Sequence, residues 1–451
     1  MLLIRPDAAH RVTVFGSTRK SAATSPGVRS RSLFPSTPLP SIAASGSGSQ
    51  SCRNRPGFCL DFRKIIGWES CAVRPAKDEA GWSEGEPVTS LVSAGEIRAA
   101  AARLAGVTVR TPLVPFPGAD PPLLLKPESL QPTGSFKLRG AYAAISALPA
   151  DVRARGVVAH SSGNHGGAVA YAAALLGVPA TVVVPDNVPA VKLAAIRRAG
   201  ARIVTTRPSL AARRSAAAEL VSRHGYTLIP PFDDRAVIAG QGTVGLEIAA
   251  DCPAVGLVVV PVSGGGLISG IAAAIRALCP AALVIGAEPE LAADARDSLR
   301  ARRRVAWPAR DTQRTIADAL RVEQVGALPL RHMLSQVAGI VTVTEDEIRA
   351  AVRLLAVQAH LVAEPGGAVA VAVCLFRAAE LATAGARVAV LSGGNIEPAL
   401  LADILAGGAT DGGPPDGGVA GGGVADGGVA DGGVADGHAS GGGAADPPAP
   451  A

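Results

Sequence analysis

An α/β fold of two lobes, each a parallel sheet with helices on both faces, is the architecture the sequence predicts, on three observations. From Gly156 to Val204, apolar β-branched runs alternate with alanine-rich stretches. The same alternation returns between Leu257 and Glu288 and again between Ile340 and Leu391. Glycine-rich or polar turns directly follow three of the runs, which is where open α/β sheets hold their ligands.

Taken in order, the first series reads as a strand at Gly156–His160, a helix at Ala168–Leu176, a strand at Ala180–Pro185, a helix at Val191–Ala199 and a strand from Ala201. Such alternation marks βαβ units, because parallel neighbours need a crossover between them. Leu257–Val262, Leu267–Leu278 and Leu283–Glu288 form the second series; Ile340–Thr344, Glu345–Ala359 and Val388–Leu391 follow an arginine-rich connection. Upstream, an alanine-rich helix is expected over Gly140–Leu148, immediately after a polar stretch carrying Lys137. The folded part then divides into a large lobe, residues 89–155 plus 234–406, and a small lobe, residues 156–233.

Both ends of the 451-residue chain differ from this body. Residues 1–88 are rich in Ser, Pro, Arg and Gly, with Asp7 as the single early acid, and show no period, so disorder is expected. An organelle transit peptide and an over-extended reading frame in an arginine-biased genome both fit that composition; Arg5 and Asp7 interrupt the apolar start and speak against a secretory signal. The compartment is accordingly cytoplasmic, or an organelle if the stretch is a transit peptide. Residues 407–451 repeat a Gly-Gly-Val-Ala-Asp unit through Asp426, Asp431 and Asp436, which reads as a flexible tail.

Several function classes are excluded by composition. The net charge of +6 lies largely in the N-terminal stretch, and the body has no basic stripe interleaved with aromatics, so no nucleic-acid partner is expected. The six cysteines show neither CxxC pairs nor zinc-like spacing, against a metal cluster or a disulfide framework. The longest apolar runs, at Leu257–Val262 and Ala368–Phe376, fall short of the roughly 20 residues a membrane span needs.

Chemistry is carried by the turns. Ser263-Gly264-Gly265-Gly266-Leu267 puts three glycines between a strand and a helix, exposing backbone N–H groups at a helix N-terminus and so making an anion cradle. The spacings of the common nucleotide loops are absent, which favours the phosphate of another cofactor. The other two turns are Ser161-Ser162-Gly163-Asn164-His165-Gly166-Gly167 and Ser392-Gly393-Gly394-Asn395. A lysine such as Lys137, if desolvated, has a depressed pKa and can attack an aldehyde.

Pro132-Thr-Gly-Ser-Phe-Lys-Leu-Arg-Gly140, followed in order by the Ser161, Ser263 and Ser392 turns, resembles the serine/threonine dehydratase and serine racemase family of fold-type II pyridoxal-phosphate (PLP) enzymes. Ala239-Gly-Gln-Gly-Thr243, Thr342–Ile348 and Glu364-Pro-Gly-Gly367 add to the likeness, which covers residues 91–406. It implies a two-lobed architecture like that of tryptophan synthase β, with PLP between the lobes. It also implies that Lys137 is the Schiff-base lysine, that Phe136 packs beside the ring and that Asn164 bonds the 3′-hydroxyl. Ser263, Gly264, Gly265, Gly266 and Leu267 would hold the phosphate, and Ser392 would meet the pyridine nitrogen.

By the same likeness Ser161, Ser162, Asn164 and His165 meet the substrate carboxylate, with Arg213 as a helper. Ser162 resembles the base of racemases on the opposite face of the substrate, a position where many threonine dehydratases carry alanine. Glu288, Ala292 and Asp294 resemble a racemase-type site for Mg²⁺ or Ca²⁺, an all-oxygen set suited to those ions. The implied activity is elimination of the hydroxyl of L-threonine or L-serine, to 2-oxobutanoate or pyruvate plus ammonia. A serine racemase with side elimination, a β-replacement enzyme and a PLP-binding protein that has lost catalysis are the alternatives. The likeness further implies a homodimer or homotetramer with a small amino-acid substrate and no membrane partner. Two departures bear on substrate preference: Gly167 stands where glutamine is common, and Ala319 replaces a usual glycine and is expected to crowd the pocket. Without a following amino-acid-binding domain, feedback by isoleucine is not expected.

Overall fold

The computed structural model describes residues 90–188, 190–381 and 385–407. Cys52, Cys59 and Cys71 and the expectations of disorder at both ends lie outside the described residues. Among the described residues there are ten strands: β1 Val114–Pro115, β2 Leu123–Pro127, β3 Val157–Ala159, β4 Ala180–Pro185, β5 Arg202–Thr206, β6 Thr227–Leu228, β7 Val255–Pro261, β8 Leu283–Pro289, β9 Gly339–Val343 and β10 Ala386–Leu391. They form a six-stranded sheet, β1-β2-β10-β7-β8-β9, and a four-stranded sheet, β5-β4-β3-β6. Every pairing is parallel except β1 with β2 at the edge, where Val114 faces Leu125.

Alternation along β7 shows why the large sheet is covered on both faces. Leu257 and Val259 enter one core with Leu125, Ala389 and Leu391, beneath the helices Glu345–Val357 and Pro365–Phe376. Val258 and Val260 point the other way, into a core with Val284 and Val388 under the helices Arg235–Asp251 and Gly266–Leu278. A parallel strand buried on both faces must be apolar at every position, which is what makes these runs conspicuous. The four-stranded sheet is sandwiched likewise, with Val182 and Val184 in one cluster and Val183 in another.

Two helices start earlier than their apolar pattern implies. The helix predicted from Gly140 spans Lys137–Ala147, so Lys137 sits in its first turn rather than in the preceding loop. The helix predicted from Ala168 spans Asn164–Leu175, with Gly163 as N-cap. In the latter case the first turn packs against its own approach: a Cβ at Gly166 would lie 1.8 Å from the Ser161 carbonyl oxygen, so only glycine permits it. Register places the carboxyl ends of the central strands side by side, Leu391 of β10 opposite Pro127 of β2 and Pro261 of β7 opposite Ala287 of β8. Among the described residues no helix is long and apolar enough to cross a membrane.

Candidate active site

The segment after β2 and the turn after β10 meet beside Lys137. Its Nζ donates to the Pro231 carbonyl at 2.8 Å and lies 4.9 Å from the centre of the Phe136 ring. Burial pushes the amine down to about 8 from its ordinary 10.5, although the Glu364 carboxylate pulls the other way. The amine is thus partly neutral near physiological pH, the state in which nitrogen attacks an aldehyde. Phe136 is tied to the neighbouring motif, its backbone N–H donating to the Ser392 carbonyl at 3.1 Å. Ser135 bridges to Gly393 in the same manner, which brings two sequence-distant motifs together.

The Ser263 loop leads from β7 into the helix Gly266–Leu278. Its N-cap is Gly265, at φ +89, a left-handed conformation that side-chain-bearing residues seldom adopt, and no side chain caps the helix. The first-turn N–H groups therefore have no side-chain acceptor, which leaves them to an anion. Close packing keeps the loop free of side chains: a Cβ on Gly264 would lie 2.2 Å from the Phe232 ring, and one on Gly266 would lie 2.6 Å from Gln241 Oε1. Gln241 Oε1, Ser135 Oγ and His165 Nδ1 are buried without a hydrogen-bond partner. Unmatched polar atoms at such density are uncommon in a packed interior and fit a polar occupant. An aldehyde-bearing phosphate ester matches both the depressed lysine and the uncapped helix.

The turn after β3 contributes Ser161 and Ser162, both half-buried, then Asn164 and His165 in the first helical turn. Asn164 Nδ2 donates to Glu364 Oε1 at 2.6 Å, and its Oδ1 accepts from Asn395 Nδ2 at 2.7 Å. His165 Nε2 lies 2.8 Å from the Ile229 carbonyl, an acceptor only, so that nitrogen carries the proton. Burial, reinforced by the nearby Lys137 charge, holds the imidazole pKa down at about 3. The buried Nδ1 is consequently a bare acceptor. Toward a substrate carboxylate the ring offers no N–H, and the N-terminal amides of its helix are the better donors.

Arg213 lies in the helix Leu210–His224, half-buried, with a buried Nε that has no partner. Burial and then the Arg214 charge lower its pKa, and burial, then the charges of Arg214 and Arg213, lower that of His160, which directly precedes Ser161. The arginine thus stands beside the approach to the Ser161 turn.

Glu288 is the penultimate residue of β8 and accepts the backbone N–H groups of Ala295 at 3.1 Å and Arg296 at 2.8 Å at the start of the helix Asp294–Ala301. Asp294 and Ala292 are buried beside it. Burial, then the Asp294 charge, raises the Glu288 carboxyl well above its usual range; burial alone is the chief cause pushing Asp294 up to about 7. Two buried acids held above their usual range, one of them raised by the charge of the other, are the setting in which a cation would replace protons. Asp294 and Glu288, with the carbonyl of Ala292, would be the donors of such a site, a set suited to Mg²⁺ or Ca²⁺.

The two departures also find places. A Cβ on Gly167 would touch nothing within 4 Å, so its lack of a side chain leaves open space on the first helical turn. The Ala319 Cβ lies beside Gly366, 3.1 Å from where a Cβ on that glycine would be. Sequence reasoning assigned no role to Pro231, Gln241, Glu364 or Asn395. The last three lie inside quoted motifs, but only their contacts single them out: Gln241 against Gly266, Glu364 and Asn395 with Asn164.

Residues 104–393 match the family described as pyridoxal-phosphate dependent enzyme. The chain is 44% identical over 278 residues to the L-threonine ammonia-lyase of Thermotoga maritima, covering 61% of this chain and 67% of that protein. It is 36% identical over 313 residues to a serine racemase of Oryza sativa subsp. indica, covering 68% of this chain and 91% of the other. Among solved structures, the serine racemase of Dictyostelium discoideum superposes with a TM-score of 0.64 at 36% identity, covering 68% of this chain and 99% of that one. A solved threonine deaminase superposes with the same TM-score of 0.64 at 42% identity and with the same two coverages, 68% and 99%.

Proposed function

From its membership of the pyridoxal-phosphate dependent enzymes, the family to which this chain belongs, we propose that it removes the β-hydroxyl of L-threonine or L-serine as an ammonia-lyase. The products are 2-oxobutanoate or pyruvate, with ammonia. When bound, PLP takes the amino group of the substrate into conjugation with its ring and lowers the cost of removing the Cα proton. All other tasks fall to the protein. Ser263, Gly264, Gly265, Gly266 and Leu267 would hold the phosphate, Asn164 the ring oxygen, and Ser392 the ring nitrogen with a neutral hydroxyl. Lys137 holds or takes the Cα proton at Nζ, and its carbonyl partner Pro231 orients that atom. The turn from Ser161 to His165, with Arg213 beside it, would receive the substrate carboxylate.

One observation supports elimination: the buried Lys137 amine, brought down to about 8 and held by the Pro231 carbonyl, can exchange a proton near neutral pH. His165 stays neutral down to about 3, so it is no second base. Inversion at Cα needs a base on each face, whereas elimination needs one.

Racemisation is the second reading, favoured by Ser162, which by the family likeness is the base on the other face, and by the acids Glu288 and Asp294. The two are separated by supplying the purified protein with PLP and Mg²⁺, offering L-serine and L-threonine in turn, and following 2-oxo acid and D-amino acid together. Dominant 2-oxo acid supports the lyase, and its faster substrate names it. Accumulating D-serine overturns the lyase in favour of the racemase. A homo-oligomer is further proposed from the family likeness.

A further inference from the structure

Asn395 is exposed, yet it makes two hydrogen bonds from a single nitrogen to segments far away in the chain. Its Nδ2 donates to the Thr133 carbonyl at 2.9 Å and to Asn164 Oδ1 at 2.7 Å. The side chain lies directly on Gly134, where a Cβ would come within 2.2 Å of Asn395 Oδ1; Gly134 also has φ +71, so glycine is required there twice over. Gly394 N–H donates to the Gly134 carbonyl at 2.9 Å, which holds the two strips of backbone together.

The direction of every bond in this chain is determined. The Thr133 carbonyl can only accept, so the nitrogen of Asn395 must face it. That nitrogen supplies both protons, and Asn164 must therefore turn its oxygen toward Asn395. Asn164 Nδ2 then points away and donates one proton to the acceptor-only carboxylate of Glu364 at 2.6 Å. Its second N–H is left for another acceptor. A flipped Asn164 would set nitrogen against nitrogen at one end and oxygen against carboxylate at the other.

We propose that Asn395 is a positioning residue for the cofactor: it locks the Asn164 amide so that its nitrogen, not its oxygen, is presented to the oxygen substituent of the PLP ring. The inference rests on the reading of Asn164 as the ring-oxygen partner given above. It also gives Thr133 and Gly134, four and three residues before Lys137, a shared purpose: they supply the fixed acceptor and the room that set Asn395 itself.

The test is cofactor uptake rather than turnover. Asn395→Asp keeps the shape over Gly134 but removes both donors, and Asn395→Leu removes them without adding charge. Each is titrated with PLP, reading the dissociation constant and the visible absorbance maximum of the bound cofactor, with thermal melting as the control for folding. Loss of one oriented hydrogen bond predicts about tenfold weaker PLP binding in both variants and a displaced absorbance maximum. In an Asn164→Ala background the same substitutions should have no further effect, because the only residue Asn395 acts through is gone. Unchanged binding and absorbance, or an effect that persists undiminished without Asn164, overturns the proposal. If the unaltered protein binds PLP normally while this happens, the functional reading stands and only the role of Asn395 falls. If it takes up no PLP, both fall.

Discussion

Two cations two residues apart, on opposite sides of one helical turn, have opposite surroundings. Lys137 makes one hydrogen bond, to a carbonyl, and its burial drives the amine toward neutrality. Arg139, 1% exposed, donates to both oxygens of Glu128 at 2.7 and 2.8 Å, to both oxygens of Glu247 at 2.7 and 2.9 Å, to Thr243 at 3.1 Å and to the Val109 carbonyl at 3.2 Å. Burial opposes its charge as well, but Glu128 and Glu247 outweigh that and raise its pKa. Lys126, buried at the end of β2, completes the group with a 2.6 Å bond to Glu247. Buried charge that is fully partnered anchors structure; buried charge left short of partners is available for chemistry. The start of this helix does both at once, so the reactive amine is carried on a rigid clamp.

The strongest way to break this contrast is to exchange the effects. Lys137→Ala should lower turnover by at least about 10²–10⁴-fold, the usual worth of a positioned proton-transfer group, and abolish the visible absorbance of bound cofactor, while leaving the melting temperature nearly unchanged. Arg139→Ala should do the reverse in kind. Stranding Glu128 without its partner costs about 3–5 kcal/mol, measurable as a melting temperature lower by roughly 10 °C or as loss of soluble protein. If Arg139→Ala melts normally, the clamp is not a clamp.

Ser162→Ala sharpens the comparison on the other face of the substrate. Any D-amino acid formation should disappear while most 2-oxo acid formation survives, assayed in the same tubes. Undiminished racemisation would sink the role of Ser162 as second base.

The tuned amine also has a pH signature. Lys137 is neutral in the folded protein above about 8, whereas the free side chain is neutral only above 10.5. The second-order rate of PLP capture should therefore climb about tenfold per pH unit below 8 and level off above it, as followed by stopped-flow absorbance. A rise continuing to pH 10 would show that burial does not tune this amine.

Smallest in effect is the paired-acid site. Both carboxyls have raised pKa values, so cation binding must displace protons, and Mg²⁺ should stabilise the protein more as pH rises through about 7. Melting curves at pH 6 and pH 8, with and without Mg²⁺, read this directly. Asp294→Asn should remove the Mg²⁺ effect at both.

Much of the fold was legible because burial on both faces writes a parallel strand as an unbroken apolar run, as at Leu257–Val262. Helix starts were less legible: Lys137 and Asn164 lie in first turns whose residues are chosen for the site and so break the apolar period. The glycine cradle was visible as a motif, but the reason for glycine at each position, Phe232 at one and Gln241 at another, was not. Asn395 was visible as a letter in a motif and invisible as a contact.

The sequence by itself determined which kinds of chemistry this protein can hold, because a strand, a glycine turn and a lysine before a helix are local patterns written in consecutive residues. Only the tertiary structure decided how those groups behave. The Lys137 amine is oriented by a carbonyl 94 positions away, and the amide of Asn164 by Asn395, 231 positions away. A pKa or a hydrogen-bond direction belongs to an environment, and that environment exists only once distant segments are packed around it.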